Sequence, residues 1–275
     1  MKQWDITVLY LGKITANLSF VWPVGMPPLE NDFPMSAPYL GFLLRSDRQN
    51  ILVDTGISEK FIIDGKAWGA LPAEGGRTFL KEALEKEGIG PEEIQKVVYT
   101  HLHNDHAANC QLFSNASIIF QKDEWQNLLE PLPVQNLRRD YDPDLVNELK
   151  AANTLRVDGD LDLEEGVKLV KTPGHTAGSQ SVAVNTGKGV VVLVGDLCLF
   201  DFMMFPGLTE IVDMEGNAHP IPPAPPVFGP AIPHTLTYNF YDFYDSIYKV
   251  KAIASRNEPG FVISGHEPSL VLNGI

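Results

Sequence analysis

The sequence feature that most constrains this chain is a dense group of potential metal ligands at residues 100–106, which read THLHNDH. A short apolar, β-branched stretch precedes the group, which predicts that it lies where a strand ends. On a strand or a tight loop, His101 and His103 point the same way, so two neutral imidazoles can bind one ion. Asp105 and His106 turn away from that pair and can bind a second ion. The alternative is a solvated histidine-rich loop, which the added carboxylate and third imidazole disfavour.

Three more predicted strands end in a residue of ligand type. His175 lies in a turn-rich break between two strand patterns, Asp196 follows a fully apolar run, and His266 follows a β-branched run. Each residue alone has an ordinary explanation, because a histidine after a strand is commonly a loop or core residue and an aspartate there is commonly a cap. Four strand ends of this kind together predict a site at one edge of a sheet.

In these segments the sequence resembles the metallo-β-lactamase superfamily, and in particular its N-acyl-homoserine lactonase branch. The resemblance covers nearly the whole chain. It rests on segments 50–56, 100–106, 172–181, 195–196 and 264–266. It implies an α+β fold, an αβ/βα four-layer sandwich with the site at one edge of two sheets.

The resemblance also implies a ligand set and a mechanism. One metal ion would be held by His101, His103 and His175, and a second by Asp105, His106 and His266, with Asp196 bridging both. We expect two divalent ions per chain, with Zn(II) as the default and Mn(II), Fe(II) or Co(II) as alternatives. The expected reaction is attack of a metal-bridging hydroxide on a lactone carbonyl, with Asp105 and Asp196 as catalytic residues.

At one position the sequence departs from the lactonase pattern. Those enzymes carry a tyrosine three residues after the bridging aspartate, where this chain has Leu199. The sequence does not choose among the possible substitutes, which are Tyr238, Tyr241, Tyr244, His219 and His234. Neighbouring Cys198 is interpreted as a small buried hydrophobe rather than a reactive thiol.

Three functions stay open at this point. The branch resemblance favours a lactone hydrolase and implies quorum quenching. A thioester or phosphoester hydrolase is the second, although the thioesterase relatives add a basic C-terminal helical domain and this chain stops nine residues after His266. A non-hydrolytic di-iron redox or metal-binding protein is the third, but such relatives carry glutamate at the place of His103.

Charge and composition limit the partners. The formal net charge of −14 disfavours nucleic acid and anionic membranes as partners, because their recognition depends on clustered Lys and Arg. No stretch approaches the roughly 20 apolar residues that cross a bilayer. No signal peptide is visible and only two cysteines occur, so we expect a cytoplasmic protein that acts on a small molecule. A homodimer is possible.

The length of 275 residues and the 44% hydrophobic content predict a single domain over 1–275, with a proline-rich insertion near 203–238. We expect strands near 5–11, 17–22, 39–46, 50–54, 96–100, 117–121, 167–171, 180–185, 190–195 and 260–264. We expect helices near 77–87, 122–130 and 240–255, and an acidic, mixed segment at 131–160.

Two proline-rich segments are predicted to be long, stiff loops. There are five prolines in the 16 residues 23–38 and eight in the 28 residues 206–233, and proline is excluded from central strands and helix interiors. The second segment is interpreted as a wall of the substrate pocket, with a dimer contact or a surface flap as the alternative. The apolar run at 197–205 is either core or an apolar slot for an acyl chain.

Overall fold

The computed structural model describes residues 2–47 and 49–275, and its first sheet has eight strands. These are β1 (Asp5–Asn17), β2 (Pro34–Ser46), β3 (Gln49–Val53), β4 (Lys66–Ala67), β5 (Leu71–Gly75), β6 (Lys96–Val98), β7 (Ser117–Gln121) and β8 (Asn153–Val157). Their order across the sheet is β4-β5-β1-β2-β3-β6-β7-β8. The neighbouring pairs β3–β6, β6–β7 and β7–β8 run parallel, and the other pairs are antiparallel.

The remaining strands form a second sheet and a hairpin. They are β9 (Leu161–Glu164), β10 (Val167–Lys171), β11 (Gln180–Thr186), β12 (Gly189–Leu193), β13 (Glu210–Val212), β14 (Ala218–Pro220) and β15 (Val262–Ile263). The second sheet has the order β15-β12-β11-β10-β9, and β13 pairs with β14 alone. Because β15 is parallel to β12 while β10 and β12 are both antiparallel to β11, the strands β10, β12 and β15 all end at the same edge.

Helices accompany the two sheets, and several of them cover the outer faces. They are α1 (Arg77–Lys86), α2 (Lys122–Leu129), α3 (Pro133–Arg138), α4 (Leu145–Ala151), α5 (Asp201–Met204), α6 (Phe240–Ile253) and α7 (Leu270–Asn273). Buried residues of α1, α2 and α4 pack on the first sheet, and those of α5 and α6 pack on the second. The expected four-layer α+β sandwich is therefore confirmed.

Alternating side chains produce these layers. On β2, Phe42 packs between the sheets while its neighbour Leu43 packs against the helices. On β11, Val182 and Val184 lie between the sheets, and Ala183 faces the second helical layer. Since successive strand residues point to opposite faces, strands that are apolar throughout are buried on both sides.

The predicted strand at 17–22 is wrong. β1 continues to Asn17, and the chain then forms a 3₁₀ turn over Leu18–Phe20. The carboxylate of Asp32 accepts hydrogen bonds from the backbone N–H of Ser19 at 3.0 Å and from its hydroxyl at 2.6 Å. These side-chain contacts replace the strand ladder and bend the chain.

The interpretation of both proline-rich segments as loops also needs correction. β2 begins at Pro34 and includes Pro38, although it is a central strand between β1 and β3. The β1–β2 register shifts between Tyr10 and Lys13, where Gly12 has φ 116°, so the two strands form a bulge there. Proline is tolerated at this place because a bulge removes the need for an N–H donor. The second segment contains the β13–β14 hairpin.

The mixed segment 131–160 contains regular structure as well, namely α3, α4 and β8. The predicted helices near 77–87, 122–130 and 240–255 match α1, α2 and α6 to within two residues at each end. Within the part of the chain that the structure describes, no helix is both long enough and apolar enough to cross a membrane.

Candidate metal centre

The structure brings the seven predicted ligand residues to one edge of the two sheets. His101 to His106 follow β6, His175 follows β10, Asp196 follows β12 and His266 follows β15. All seven side chains are buried or nearly so, and Asp105 is the most exposed at 11%. The prediction that four strand ends meet at one site therefore agrees with the geometry.

The first group of predicted ligands consists of three histidines. The ring nitrogens of His101, His103 and His175 lie within 4.8 Å of one another. Nδ1 of His103 is 3.0 Å from Nε2 of His175. We call these residues the three-histidine group.

The second group contains a carboxylate and two histidines. Oδ2 of Asp105 is 3.8 Å from Nε2 of His106 and 3.7 Å from Nε2 of His266. The two Nε2 atoms are 3.4 Å apart. We call these residues the mixed group.

The carboxylate of Asp196 lies between the two groups. Its Oδ1 is 3.1 Å from Nε2 of His106 and 3.2 Å from Nε2 of His266. Its Oδ2 is 3.6 Å from Nε2 of His175. One carboxylate oxygen therefore faces each group, which is the arrangement that a bridging ligand requires.

Unsatisfied atoms show that the residues fit a metal. Nε2 of His101, Nε2 of His103 and Oδ1 of Asp196 are buried without a hydrogen-bond partner, whereas buried polar atoms almost always have one. Burial lowers the pKa of His101 and His103, and it lowers the pKa of His175 to about 3. These three imidazoles are thus neutral, the form that binds zinc.

The mixed group is electrostatically different. Burial alone would lower the pKa of His106, but the charges of Asp196, Asp105 and Asp54 outweigh it and raise that pKa. The pKa of His266 is also raised, because Asp196 and Asp105 outweigh its burial. The concentration of carboxylates at this position therefore favours positive charge, as a cation site does.

Asp54 is a residue of this site that the ligand pattern did not assign. It follows β3, beside β6, and its Oδ2 accepts a hydrogen bond from Nδ1 of His106 at 2.9 Å. Its Oδ1 and Oδ2 also accept from the backbone N–H and hydroxyl of Thr100, at 2.8 and 2.7 Å. A carboxylate of this kind fixes the ring orientation and leaves Nε2 of His106 toward the centre. Two sequence signals marked it, its position after a buried strand and its place in segment 50–56, on which the family resemblance rests in part.

Backbone carbonyls orient two other histidines. Nδ1 of His266 donates to the carbonyl of Pro38 at 2.8 Å, and Nδ1 of His175 donates to the carbonyl of Leu236 at 3.0 Å. In both rings Nε2 then faces the cluster. The acceptor at Pro38 lies at the β1–β2 bulge, so the irregular strand supplies a contact to the site.

A cavity of about 1170 Å³ opens from the cluster. Its wall is largely apolar and includes Val21, Met35, Ala37, Phe61, Trp68, Leu137, Leu199, Phe200 and Leu236. No residue of 206–233 belongs to that wall, so the interpretation of this segment as a pocket wall is wrong. Its apolar residues, such as Ile211 and Ile232, instead pack in the core of the second helical layer.

The apolar run at 197–205 contributes both to the core and to the wall of the cavity. Leu197, Phe202 and Met203 are core residues, whereas Leu199 and Phe200 also line the cavity. Cys198 is fully buried, and burial raises the pKa of its thiol. That supports its interpretation as an unreactive hydrophobe.

None of the possible substitutes for the tyrosine missing at Leu199 lines the cavity in the described chain. Tyr238 contacts Arg138, Tyr241 is exposed, and Tyr244 contacts the carbonyl of Phe228, while His219 pairs with Asp213. Only His234 touches the cluster, where its Nε2 donates to the backbone carbonyl of Asp196 at 2.8 Å. His234 therefore contacts the backbone of Asp196 but does not line the cavity.

Comparison with known proteins places the chain in a family. The model of the metallo-beta-lactamase superfamily matches residues 40–203, and the chain belongs to that superfamily. The resemblance seen in the motifs is thereby confirmed.

Among named relatives, an N-acyl homoserine lactonase of Bacillus cereus is 30% identical over 167 residues, which cover 58% of this chain and 63% of the relative. The chain thus spans less than two thirds of that relative's length. The N-acyl homoserine lactonase AiiB of Agrobacterium fabrum is 27% identical over 201 residues, 67% of this chain and 71% of the relative.

The solved structures agree with the fold. An N-acyl homoserine lactone hydrolase with N-hexanoyl-L-homoserine at its catalytic metal centre superposes with a TM-score of 0.70 and 22% identity, covering 97% of this chain and 94% of the other. AidC, a dizinc quorum-quenching lactonase, superposes with a TM-score of 0.61 and 20% identity, covering 92% and 85%.

Proposed function

We propose that this protein is a metal-dependent hydrolase that opens the ring of a lactone with an apolar substituent. The observation that carries the proposal is the position of Asp196, whose two carboxylate oxygens face two separate groups of ligands at the end of an apolar cavity. The lactonases among its relatives support the choice of a lactone. N-acyl-homoserine lactones are the first candidates, and quorum quenching would be the consequence.

The residues present suit two divalent ions, with zinc as the default. The three-histidine group would hold one ion, the mixed group the other, and Asp196 both. Nitrogen and carboxylate donors without a thiolate fit Zn(II), and they also fit Mn(II), Fe(II) or Co(II). When bound, such a pair supplies a water of lowered pKa and polarises an ester carbonyl.

The protein's own contribution is to position the substrate and to move a proton. The side chain of Asp105 lines the cavity beside the mixed group, which makes it the candidate to take up a proton during attack and return it to the leaving alkoxide. Asp196 contacts histidines of both groups and so fixes the position of one group relative to the other. Asp54 holds the imidazole ring of His106 in place, and the Pro38 carbonyl holds that of His266. Little reorganisation of these rings is therefore needed during the reaction.

The cavity favours an uncharged, apolar ligand. Its wall is largely apolar, and a protein of formal charge −14 repels polyanions. A lactone with an acyl chain can place the chain against Phe61, Trp68 and Leu199 while its carbonyl reaches the cluster. A phosphodiester would bring negative charge into the same space.

A pH-stat assay tests the proposal directly, because ring opening releases one proton per turnover. The purified protein would be compared on N-acyl-homoserine lactones of several chain lengths, on thioesters and on bis-nitrophenyl phosphate. We expect the highest kcat/KM for a lactone with a long apolar chain. A kcat/KM for the thioester or the phosphate tenfold above every lactone would contradict it.

The cellular location and the oligomeric state are proposals as well. Cys110 and Cys198 are both free and buried, which supports a reducing, cytoplasmic location. The other proposal is a homodimer, and light scattering on the purified protein measures the oligomeric state.

A further inference from the structure

A buried carboxylate outside the ligand set contacts two loops that carry ligands. Glu124 lies in the first turn of α2 and is fully buried. Its four hydrogen-bond partners are all donors, namely two backbone N–H groups, one hydroxyl and one side-chain amide. Four donors on one carboxylate are the pattern expected for an ionised acceptor that is fixed in place.

Each oxygen of Glu124 holds one loop. Oε2 accepts from the backbone N–H of Leu102 at 2.8 Å, and Leu102 lies between His101 and His103. Oε1 accepts from the hydroxyl of Thr176 at 2.5 Å, directly after His175.

The second loop is fixed at a further point. Oε1 also accepts from the N–H of Gly178 at 3.0 Å. A Cβ at Gly178 would lie 2.5 Å from the backbone nitrogen of Glu124. The loop therefore approaches α2 closely, and the hydroxyl of Ser179, 2.6 Å from that of Thr176, holds its turn together.

The loops held in this way carry all three members of the three-histidine group. The histidines of the mixed group have other supports, since Asp54 orients His106 and the Pro38 carbonyl orients His266. Glu124 therefore contacts backbone or side-chain groups directly adjacent to all three histidines of the three-histidine group, whereas its contacts do not include a residue adjacent to His106 or His266.

We propose that Glu124 is a positioning residue that sets the metal affinity of the three-histidine group and leaves the mixed group unaffected. The inference rests on the proposed metal binding, but it does not depend on the identity of the substrate. Removing a carboxylate that orients ligands weakens metal binding by roughly 10- to 100-fold.

The test compares Glu124→Gln with Asn127→Ala. Asn127 donates to the same carboxylate at 3.4 Å, yet it lies on α2 itself and carries no ligand loop. Zinc is titrated into the metal-free proteins against a chromophoric chelator. We expect Glu124→Gln to weaken one of two binding steps by about 10-fold or more, and Asn127→Ala to match the wild type.

Cobalt spectra identify the affected group. His101→Ala lacks one ligand of the three-histidine group, so its absorption spectrum is the reference for cobalt in the mixed group. His266→Ala lacks one ligand of the mixed group, so its spectrum is the reference for cobalt in the three-histidine group. At one equivalent of cobalt, Glu124→Gln should match His101→Ala. Equal weakening of both steps, or a spectrum that matches His266→Ala, would overturn the inference.

A second variant keeps the test decisive if Glu124→Gln does not fold. Thr176→Val removes only the hydroxyl that ties the His175 loop to Glu124, and we expect it to weaken the same binding step by a smaller factor. Unchanged zinc affinity in Thr176→Val would then reject the inference. Failure of the wild type to bind zinc would instead reject the proposed function, so the two failures are distinguishable.

Discussion

A pair of acids shielded from solvent next to the site gives a quantitative prediction about pH. Glu267 is buried and Asp201 is largely buried, and the backbone N–H of Asp201 donates to Oε2 of Glu267 at 3.0 Å. Ser264 donates to Asp201 at 2.8 Å and Ser269 donates to Glu267 at 2.7 Å. Neither acid forms an ion pair within the described chain. These contacts hold the loop that carries His266.

Burial and the neighbouring Glu267 raise the pKa of Asp201 to about 8. Between its ordinary value near 4 and this value, the folded protein binds a proton that the unfolded chain releases. The free energy of unfolding therefore falls as the pH rises through this interval. One proton corresponds to a slope of about 1.4 kcal/mol per pH unit, so the loss amounts to several kcal/mol at most.

Asp201→Asn removes the titrating group and keeps an acceptor for Ser264. We expect the free energy of unfolding of Asp201→Asn, relative to the wild type, to increase from pH 5 to pH 8 with a slope approaching about 1.4 kcal/mol per unit. Urea denaturation of the metal-free proteins at pH 5, 6, 7 and 8 measures this difference.

Asp213→Asn is the matched control. Desolvation raises the pKa of Asp213, but hydrogen bonds from His219, Asn217 and Glu215 together outweigh it and lower that pKa to about 2. The stability that Asp213 contributes is thus lost only as the pH falls below about 4, and its variant should show no slope between pH 5 and pH 8. A flat difference for Asp201→Asn over the same range would refute the reasoning.

Two further predictions concern the site. Asp196→Asn removes the charge between the two ligand groups and keeps its shape, so activity should fall by about 100-fold or more with the fold intact, as judged by circular dichroism. His219→Ala, which lies outside the ligand set, should have a mild effect, and an equally severe one would show that the ligand assignment is wrong. Leu199→Tyr would place a hydroxyl in the cavity wall, and we expect kcat/KM for acyl-homoserine lactones to rise about tenfold through stabilisation of the oxyanion. No change, or a loss, would show that the leucine is already the better residue.

The ligand positions could be predicted because each depends on local sequence. A β-branched run that ends in His, Asp or a turn identifies a strand end, and strand ends at one edge converge. The motif around His101 added the order of the ligands. The sequence therefore specified which residues meet at the site, although it did not specify the distances between them.

Features that depend on distant partners could not be predicted. Glu124 looks like an ordinary acid at the start of a helix, because its partners Leu102 and Thr176 are 22 and 52 residues away. Pro38 looks incompatible with a central strand, because the bulge that accommodates it is a property of β1 and β2 together. The turn after Asn17 similarly depends on Asp32, which bonds Ser19 across 13 residues.

Metal content tests the central claim most directly. The protein would be purified without chelator, dialysed and analysed for transition metals together with its activity on a lactone. Because the seven proposed ligands form two groups that would share Asp196, we expect about two equivalents of metal per chain, and loss of both metal and activity after treatment with a chelator. A reproducible single equivalent with full activity would contradict the account.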